Sequence, residues 1–508
     1  IQEQSSHKGA KASGKSTLSN YTWQSMSMYE RLSYEGDFGQ NHVSAGATFS
    51  MNSASSKTET QNQRQMYVVA DAKYSYAGRY VAELVAQYAG SSRYEKGHRF
   101  AFFPSAGLAW VASNEDFLRD VNWIDRLKLH AQTGLTGQFD VFGTPYQYRS
   151  NYSYNGDMWY GPISDQPSWF GTNRWISYKT TINRLANHNL SWPKVFQTDL
   201  GIDFDFLSLF SFKVNAYYKK IYDSIVNISS IIPGVYGLNN ISLMDNYTSQ
   251  SLRGMDITFG YSQTFGDFHV GASLSATMYK SIYEKMTDDN WLYEYQKKTG
   301  TPVDAYWGYR CIGKYEDEDQ LSSVPAISTA VKVGDLMYED VNNDGRIDDN
   351  DKVNLGNTAP RLSYALNFTF GWKNLELNVV GTGRAGLKTA MTNSYFWNGW
   401  GDGNYSAFVR DNIGGAYPRL DYVHSDQNFV GSDFWLRNGS WFKIQSVELS
   451  YDLNLRPSSW IKGIKFSLKG QNLLTLSGIK DVDPECIDAG VTSYPLLRSV
   501  TGGVKLNF

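Results

Sequence analysis

The densest chemistry in the sequence lies in the stretch Asp340-Val-Asn-Asn-Asp-Gly-Arg-Ile-Asp-Asp-Asn-Asp351. Side chains bearing oxygen stand at positions 1, 3, 5, 9 and 12 of this twelve-residue run, with Gly345 at position 6. A hard cation such as calcium takes roughly six to eight oxygen ligands, and a glycine in the middle permits the sharp turn that gathers them. Asp340, Asn342, Asp344, Asp348 and Asp351 are the candidate side-chain ligands, and Arg346 would offer its carbonyl. The competing reading is an acidic turn without metal. Asp351 stands where an EF-hand carries Glu, and no helical periodicity flanks the run, so this is not an EF-hand protein.

Other groups carry weaker signals. Trp159, Tyr160, Trp169 and Trp175 crowd one inter-strand stretch, and Trp397 and Trp400 another. Rings in such loops stack on sugars or hold peptide side chains; equally, they pack loop against loop. Gly381-Thr-Gly-Arg-Ala-Gly386 matches G-x-G-x-x-G, but no helix pattern follows it, so a rim or bend in a strand is the better account. Cys311 and Cys486 have no His or Cys partner at metal or catalytic spacing, and spacing alone leaves their pairing open. The acidic runs at Asp288-Asp289 and Glu316–Asp319 read as solvated surface. No nucleophile or carboxylate pair stands in a recognisable catalytic context, so an enzyme is not expected.

What must position these groups is a β-structure. Leu362, Tyr364, Leu366, Phe368 and Phe370 alternate with Ser363, Ala365, Asn367 and Thr369, which makes one apolar and one polar strand face. Leu200, Ile202, Phe204 and Phe206 alternate with Gly201, Asp203 and Asp205; Phe212, Val214, Ala216 and Tyr218 alternate with Lys213 and Lys219. Facing carboxylates and lysines on these two strands predict cross-strand ion pairs. Aromatics make up 15% of the 508 residues, yet no run of about 18 apolar residues exists that could cross a membrane as a helix. Half-apolar barrel strands escape that test. The net charge of -3 carries no basic footprint for nucleic acid.

About fifteen strands are expected. They lie near 20–36, 41–54, 64–77, 79–92, 101–112, 124–137, 195–207, 210–226, 249–264, 267–284, 361–372, 374–386, 440–453, 463–477 and 498–508, after a loose polar segment at 1–19. Connections near 37–40, 78, 113–123, 208–209, 265–266, 373 and 454–462 are short or moderate. Those near 55–63, 93–100, 138–194, 227–248, 287–360, 387–439 and 478–497 are longer, several very long. The two sets alternate. In an up-and-down meander every very long loop then falls at one end, the asymmetry of a transmembrane antiparallel β-barrel with long extracellular loops. The acidic run belongs to the extracellular insertion 287–360. Val504, Leu506 and the terminal Phe508 form an amphipathic last strand like a barrel-assembly signal. Trp372, Trp441 and Trp460, at strand ends, read as interfacial girdle anchors. An odd strand count predicts that further strands lie upstream or on another chain.

Several blocks resemble the SusC/RagA family of TonB-dependent outer-membrane transporters of Bacteroidota. They are Arg79-Tyr80 with Gly90-Ser-Ser-Arg-Tyr94; Phe103-Pro-Ser105 with Trp110, Glu115 and Phe117; Asn189-Leu-Ser-Trp192 leading into Gly201-Ile-Asp-Phe204; and Gly334-Asp-Leu-Met-Tyr-Glu-Asp340 running to Asp351. Arg437 to Ile444, Gly470-Gln-Asn-Leu-Leu474 and Asp483-Pro-Glu485 close the series. Ala89 and Asn343 depart from the pattern, and no plug domain or TonB box is present. The resemblance implies about fifteen strands of a 22-stranded barrel in the outer membrane of a Gram-negative bacterium. It further implies a SusD-like surface lipoprotein as lid, TonB acting on a plug not in this chain, and uptake of oligosaccharides or peptides. A non-transporting scaffold subunit of a larger assembly is the alternative.

Overall fold

The computed structural model describes residues 23–56, 63–138, 146–157, 169–170, 175–176, 178–238, 241–288, 293–397, 406–412, 415–420, 426–455, 460–487, 494 and 496–508. The segment expected to be loose, 1–19, lies outside the described residues.

One fifteen-stranded sheet dominates, its strands in chain order and each antiparallel to the next. We number them β1 (Trp23–Phe38), β2 (Asn41–Ser56), β3 (Gln63–Tyr76), β4 (Tyr80–Ser91) and β5 (Phe100–Val111). There follow β6 (Ile124–Gly137), β7 (Lys194–Phe206), β8 (Phe210–Asn227), β9 (Met244–Phe265) and β10 (Phe268–Lys285). The last five are β11 (Leu362–Trp372), β12 (Leu375–Ala385), β13 (Trp441–Asn454), β14 (Gly463–Ser477) and β15 (Ser499–Asn507). All the expected wall strands are present. The largest shift is at β9, which begins at Met244 rather than 249.

Period two gives this wall two faces. On one, Leu377, Leu449 and Leu468 lie directly opposite one another across β12, β13 and β14, and Tyr451, Phe466 and Val504 continue the band through β15. Apart from the half-buried Leu377 these side chains are exposed, as Leu84 and Leu108 are on β4 and β5, because the hydrocarbon of a bilayer is their solvent. The other face is polar and laced with ion pairs, including Arg31–Asp71 at 3.2 Å, Lys465–Asp452 at 3.2 Å and Lys469–Glu448 at 3.6 Å. Asp203 departs from expectation. Its partners are Arg126 (3.6 Å) and Lys128 (3.9 Å) on β6, not the lysines of β8. Both neighbours lie within reach of a residue in a central strand, and alternation cannot say which one wins.

The short connections sit together at one end. At the β7–β8 turn Leu207 and Ser208 both adopt left-handed backbone, φ +55° and +53°. Asp125 holds that turn, accepting from the Ser208 backbone N–H at 2.5 Å and pairing with its hydroxyl at 2.7 Å. Rings gather at this end: Phe204, Phe206, Phe210 and Tyr261 contact in series, Phe268 stacks on Trp372, and Trp460 meets Phe508. Trp372 and Trp460 thus lie in an aromatic belt as expected. Trp441 does not. It is buried at the long-loop end of β13, with Arg384 and Lys443 over its ring.

The glycines of the G-x-G-x-x-G match have a packing role. A Cβ at Gly383 would collide with the Tyr364 ring, and one at Gly381 with Phe442. Without them Tyr364 and Phe442 stack across β12, ring planes 4° apart and centroids 6.1 Å apart.

Candidate functional site

At the opposite end the long connections build packed bodies with their own cores, and the acidic run Asp340–Asp351 and Trp397 fall here. The acidic run folds as a single turn. Asn343 and Gly345 take left-handed backbone (φ +57° and +81°), which asparagine tolerates and glycine allows freely. Asp340 accepts from the amides of Asp344 (3.2 Å) and Gly345 (2.8 Å), Asn342 from Asp344 (3.0 Å), and Asp344 from Arg346 (2.9 Å). Asp351 is fully buried; its two oxygens take the amides of Val341 and Asp348, each at 2.8 Å. Asp348 in turn accepts from Asn350 and closes a capping box over the short helical turn at 349–351. Ile347 anchors the turn in an apolar cluster with Tyr309, Leu336 and Tyr338. The spacing brings these residues together in one turn, and their oxygens accept from backbone amides. Among the described residues no group of three or more His, Cys, Asp or Glu is arranged to hold a metal ion.

The block ahead of this turn is a structural lock. Asp335 is fully buried, paired with Arg419 (Nε at 3.1 Å) and with the Asn428 side-chain amide at 2.7 Å. Asn428 accepts from the Leu336 amide at 2.9 Å. Gln427 donates to the Leu336 carbonyl at 2.6 Å, and the Tyr338 hydroxyl donates to the Gln427 carbonyl at 2.8 Å. Asn428 and Gln427 are themselves fully buried, so every bond of this network is made in a medium where leaving it unmade is costly. The Trp435 ring N–H reaches the Asn428 carbonyl at 2.9 Å. That ring centres a second cluster with Phe396, Val409, Tyr417, Phe429, Ile479 and Ile487. Burial pushes the Tyr309 hydroxyl up to about 12, and the Tyr338 hydroxyl higher still.

A third element closes the body. Lys443, near the outer end of β13, is fully buried, its ammonium 3.0 Å from both oxygens of Asp483 and 2.5 Å from Glu485. Alternation along a strand marks Lys443 as merely polar; its burial and its partners were not foreseeable. The described residues of 286–361, 386–440 and 478–487 are thereby joined into one body.

Of the candidate ligand-binding aromatics, Trp397 packs against Phe429 and Trp435 in this body. Trp169 and Trp175 lie on a small ladder, 169–170 with 175–176. Trp159, Tyr160 and Trp400 lie outside the described residues. Cys311 and Cys486 are both free thiols, each pushed up by burial. Val504 and Leu506 occupy the outward face of β15, and Phe508 follows it, exposed.

Two further motif groups find their roles. Trp192 packs with Tyr94, Phe103 and Leu190 in a separate apolar cluster, its ring N–H donating to the Arg99 carbonyl at 3.0 Å. At the short-turn end Glu115 takes Arg79 and the Trp110 ring N–H, each at 3.1 Å. Its carboxyl is held below the usual range, first by the Tyr80 hydroxyl and then by Trp110.

A sheet with an exposed apolar face, a polar inner face, short turns at one end and large loop bodies at the other defines a bacterial outer-membrane β-barrel. Similarity to known proteins narrows this. No family model matches the chain. It is 23% identical over 551 residues to TonB-dependent receptor P3 of Formosa agariphila, covering 97% of this chain and 50% of that protein. It is 26% identical over 461 residues to TonB-dependent receptor SusC of Bacteroides thetaiotaomicron, covering 86% of this chain and 43% of SusC. The RagAB peptide importer superposes with a TM-score of 0.71 at 17% identity, over 96% of this chain and 56% of the other. The chain thus resembles the barrel portion of SusC- and RagA-type TonB-dependent receptors of the Gram-negative outer membrane, and it spans about half the length of the curated relatives it matches.

Proposed function

We propose that this chain forms most of the wall and the extracellular mouth of a SusC-type importer, which takes up oligosaccharides or peptides in a TonB-dependent cycle under a SusD-like surface lipoprotein. The observation that carries the reading is the joining of the described parts of three consecutive outer connections into one packed body at the end of a polar-faced wall. A rigid mouth gives a lid something to seat on, and a polar lining suits hydrophilic cargo. RagAB is a peptide importer by name, and SusC a TonB-dependent receptor. The chemistry asked of this chain is binding and passage, not catalysis.

The test is uptake of fluorescent oligosaccharide and peptide pools by cells with and without the gene. Loss of uptake of one pool, with the membrane otherwise intact, supports import. Unchanged uptake of both, with loss of a surface complex, makes the chain a scaffold instead.

The reading includes calcium at the Asp340 turn. Loading requires Asp340, Asn342 and Asp344 to share their oxygens between amides and the ion, with Arg346 adding a carbonyl. The expected result is about one calcium less per chain, by elemental analysis after dialysis, when Asp340 and Asp344 are both changed to Ala. Unchanged calcium content removes the ion from the scheme.

A further inference from the structure

The Phe103-Pro-Ser105 motif marks a break in the wall. β5 pairs with β4 all the way to Phe100, and β6 pairs with β7 all the way to Gly137. Between β5 and β6, however, pairing begins only at Ser105 opposite Gly134. Pro104 has no N–H to give to a ladder, which is the local cause. Among the described residues the break runs over Ala101–Pro104, opposite Leu135–Gln138, about 13 Å of strand at roughly 3.3 Å per residue. On the inner side it is sealed. Phe103 reaches across to Gly137, where a Cβ would collide with its ring, and Trp192 and Tyr94 back it.

On the outer side the break opens into an apolar groove of about 560 Å³ lined by Ala70, Ala72, Ala86, Pro104, Ala106 and Phe196. A second groove, about 810 Å³, lies beside it around Ala82, Leu108, Ala131 and Leu200. Leu84 and Leu108 stand as ridges, 62% and 66% exposed, over alanines where other strands carry large side chains. The grooves lie between two sets of rings. Tyr88, Phe100 and Phe102 stand toward the outer end, and Tyr80 and Trp110 toward the short turns. That places them within the hydrocarbon. The outward face of β3 then reads Arg64, Met66, Val68, Ala70, Ala72 from the outer rim downward, and Arg64 is exposed. A cation about 20 Å above an apolar groove on one strand face matches a phosphate head with its acyl chain below.

We propose that β3–β7 form a binding site for a phosphate-bearing lipid of the outer leaflet, with its acyl chain laid in the groove at Pro104 and its phosphate on Arg64. The acyl chain there fills the groove between the Leu84 and Leu108 ridges, where the alanines leave space.

The test is native mass spectrometry of the full-length barrel in detergent with added diphosphoryl lipid A. The wild type is expected to retain lipid through delipidation. Ala72→Trp with Ala106→Trp fills the groove and removes the retained lipid; Arg64→Gln weakens binding about five-fold. Heat-modifiable gel migration checks that each variant is folded. If the doubly filled barrel does not fold, Arg64→Gln decides alone. Equal lipid affinity in Arg64→Gln, or equal retention in a folded groove-filled barrel, overturns the proposal. So does a groove-filled barrel that keeps its lipid and loses a dimer, which would make the groove an interface between copies.

Discussion

The wall and the outer loop body solve the burial problem in opposite ways. In the wall, large apolar side chains such as Leu32, Leu84 and Leu108 face outward, and the polar groups face in. In the loop body Trp435, Tyr338, Phe396 and Leu336 are buried together with Asp335, Gln427, Asn428 and Lys443. The wall gets its stability from a backbone ladder and from lipid. The loop body, standing in water, needs a hydrophobic core and satisfied polar locks of the kind found in a soluble domain. A single chain therefore carries two stability regimes, divided at the rim of the barrel.

Substitutions that respect this division should affect one regime and spare the other. Trp435→Ala is expected to cost the loop body about 3–5 kcal/mol through the cavity it leaves. Protease susceptibility of 386–440 should rise while heat-modifiable migration of the barrel stays normal; unfolding of both together would erase the division. Lys443→Met strands two carboxylates beside a buried site and should cost about 3 kcal/mol. Hydrogen exchange in 478–487 reads it, and the expected change is confined to the loop body. In the wall, Leu468→Arg places a charge on the lipid face and should cost about 2–4 kcal/mol near the bilayer midplane, measured by urea titration in liposomes. Leu468→Ala should cost far less, since lipid refills the space that a core would leave empty. The smallest effect concerns Cys311. Burial raises its thiol pKa, so its alkylation should need a higher pH than a free thiol does. Opening the body by Asp335→Ala should move that profile down toward the ordinary thiol range.

The two regimes were unequally legible. Strand positions, their faces and the sorting of loop lengths follow from local alternation, because period two is a property of neighbours in sequence. Turn chemistry around Gly345 was equally local. The locks were not. Asp335 finds Arg419 and Asn428, 84 and 93 residues on, and nothing in its neighbourhood encodes that distance. Trp441 illustrates the same limit. A tryptophan at a strand end satisfies the girdle rule at either end of a barrel, and only the loop that folds over it decides whether it meets lipid or is buried. The ring clusters near Trp397 read equally well as ligand platforms or as core, and the core was visible only once Phe429 and Trp435 stood beside it.

The long reach of those locks bears on the order in which the protein becomes complete. The Cys311 amide meets Asp433 across 122 residues, and Lys443 waits for Asp483 and Glu485 in the last long connection. The Asp335 lock and the Tyr338 cluster need only the chain to about Trp435, but the outer body is not complete until the chain as far as Ile487 is in place. Until the connection after β14 is in place, the Trp435 cluster lacks Ile479 and Ile487, and Lys443 lacks both of its carboxylates. The connection between β14 and β15 therefore acts as a clasp, since the two earlier connections and the outer end of β13 all depend on it for completion.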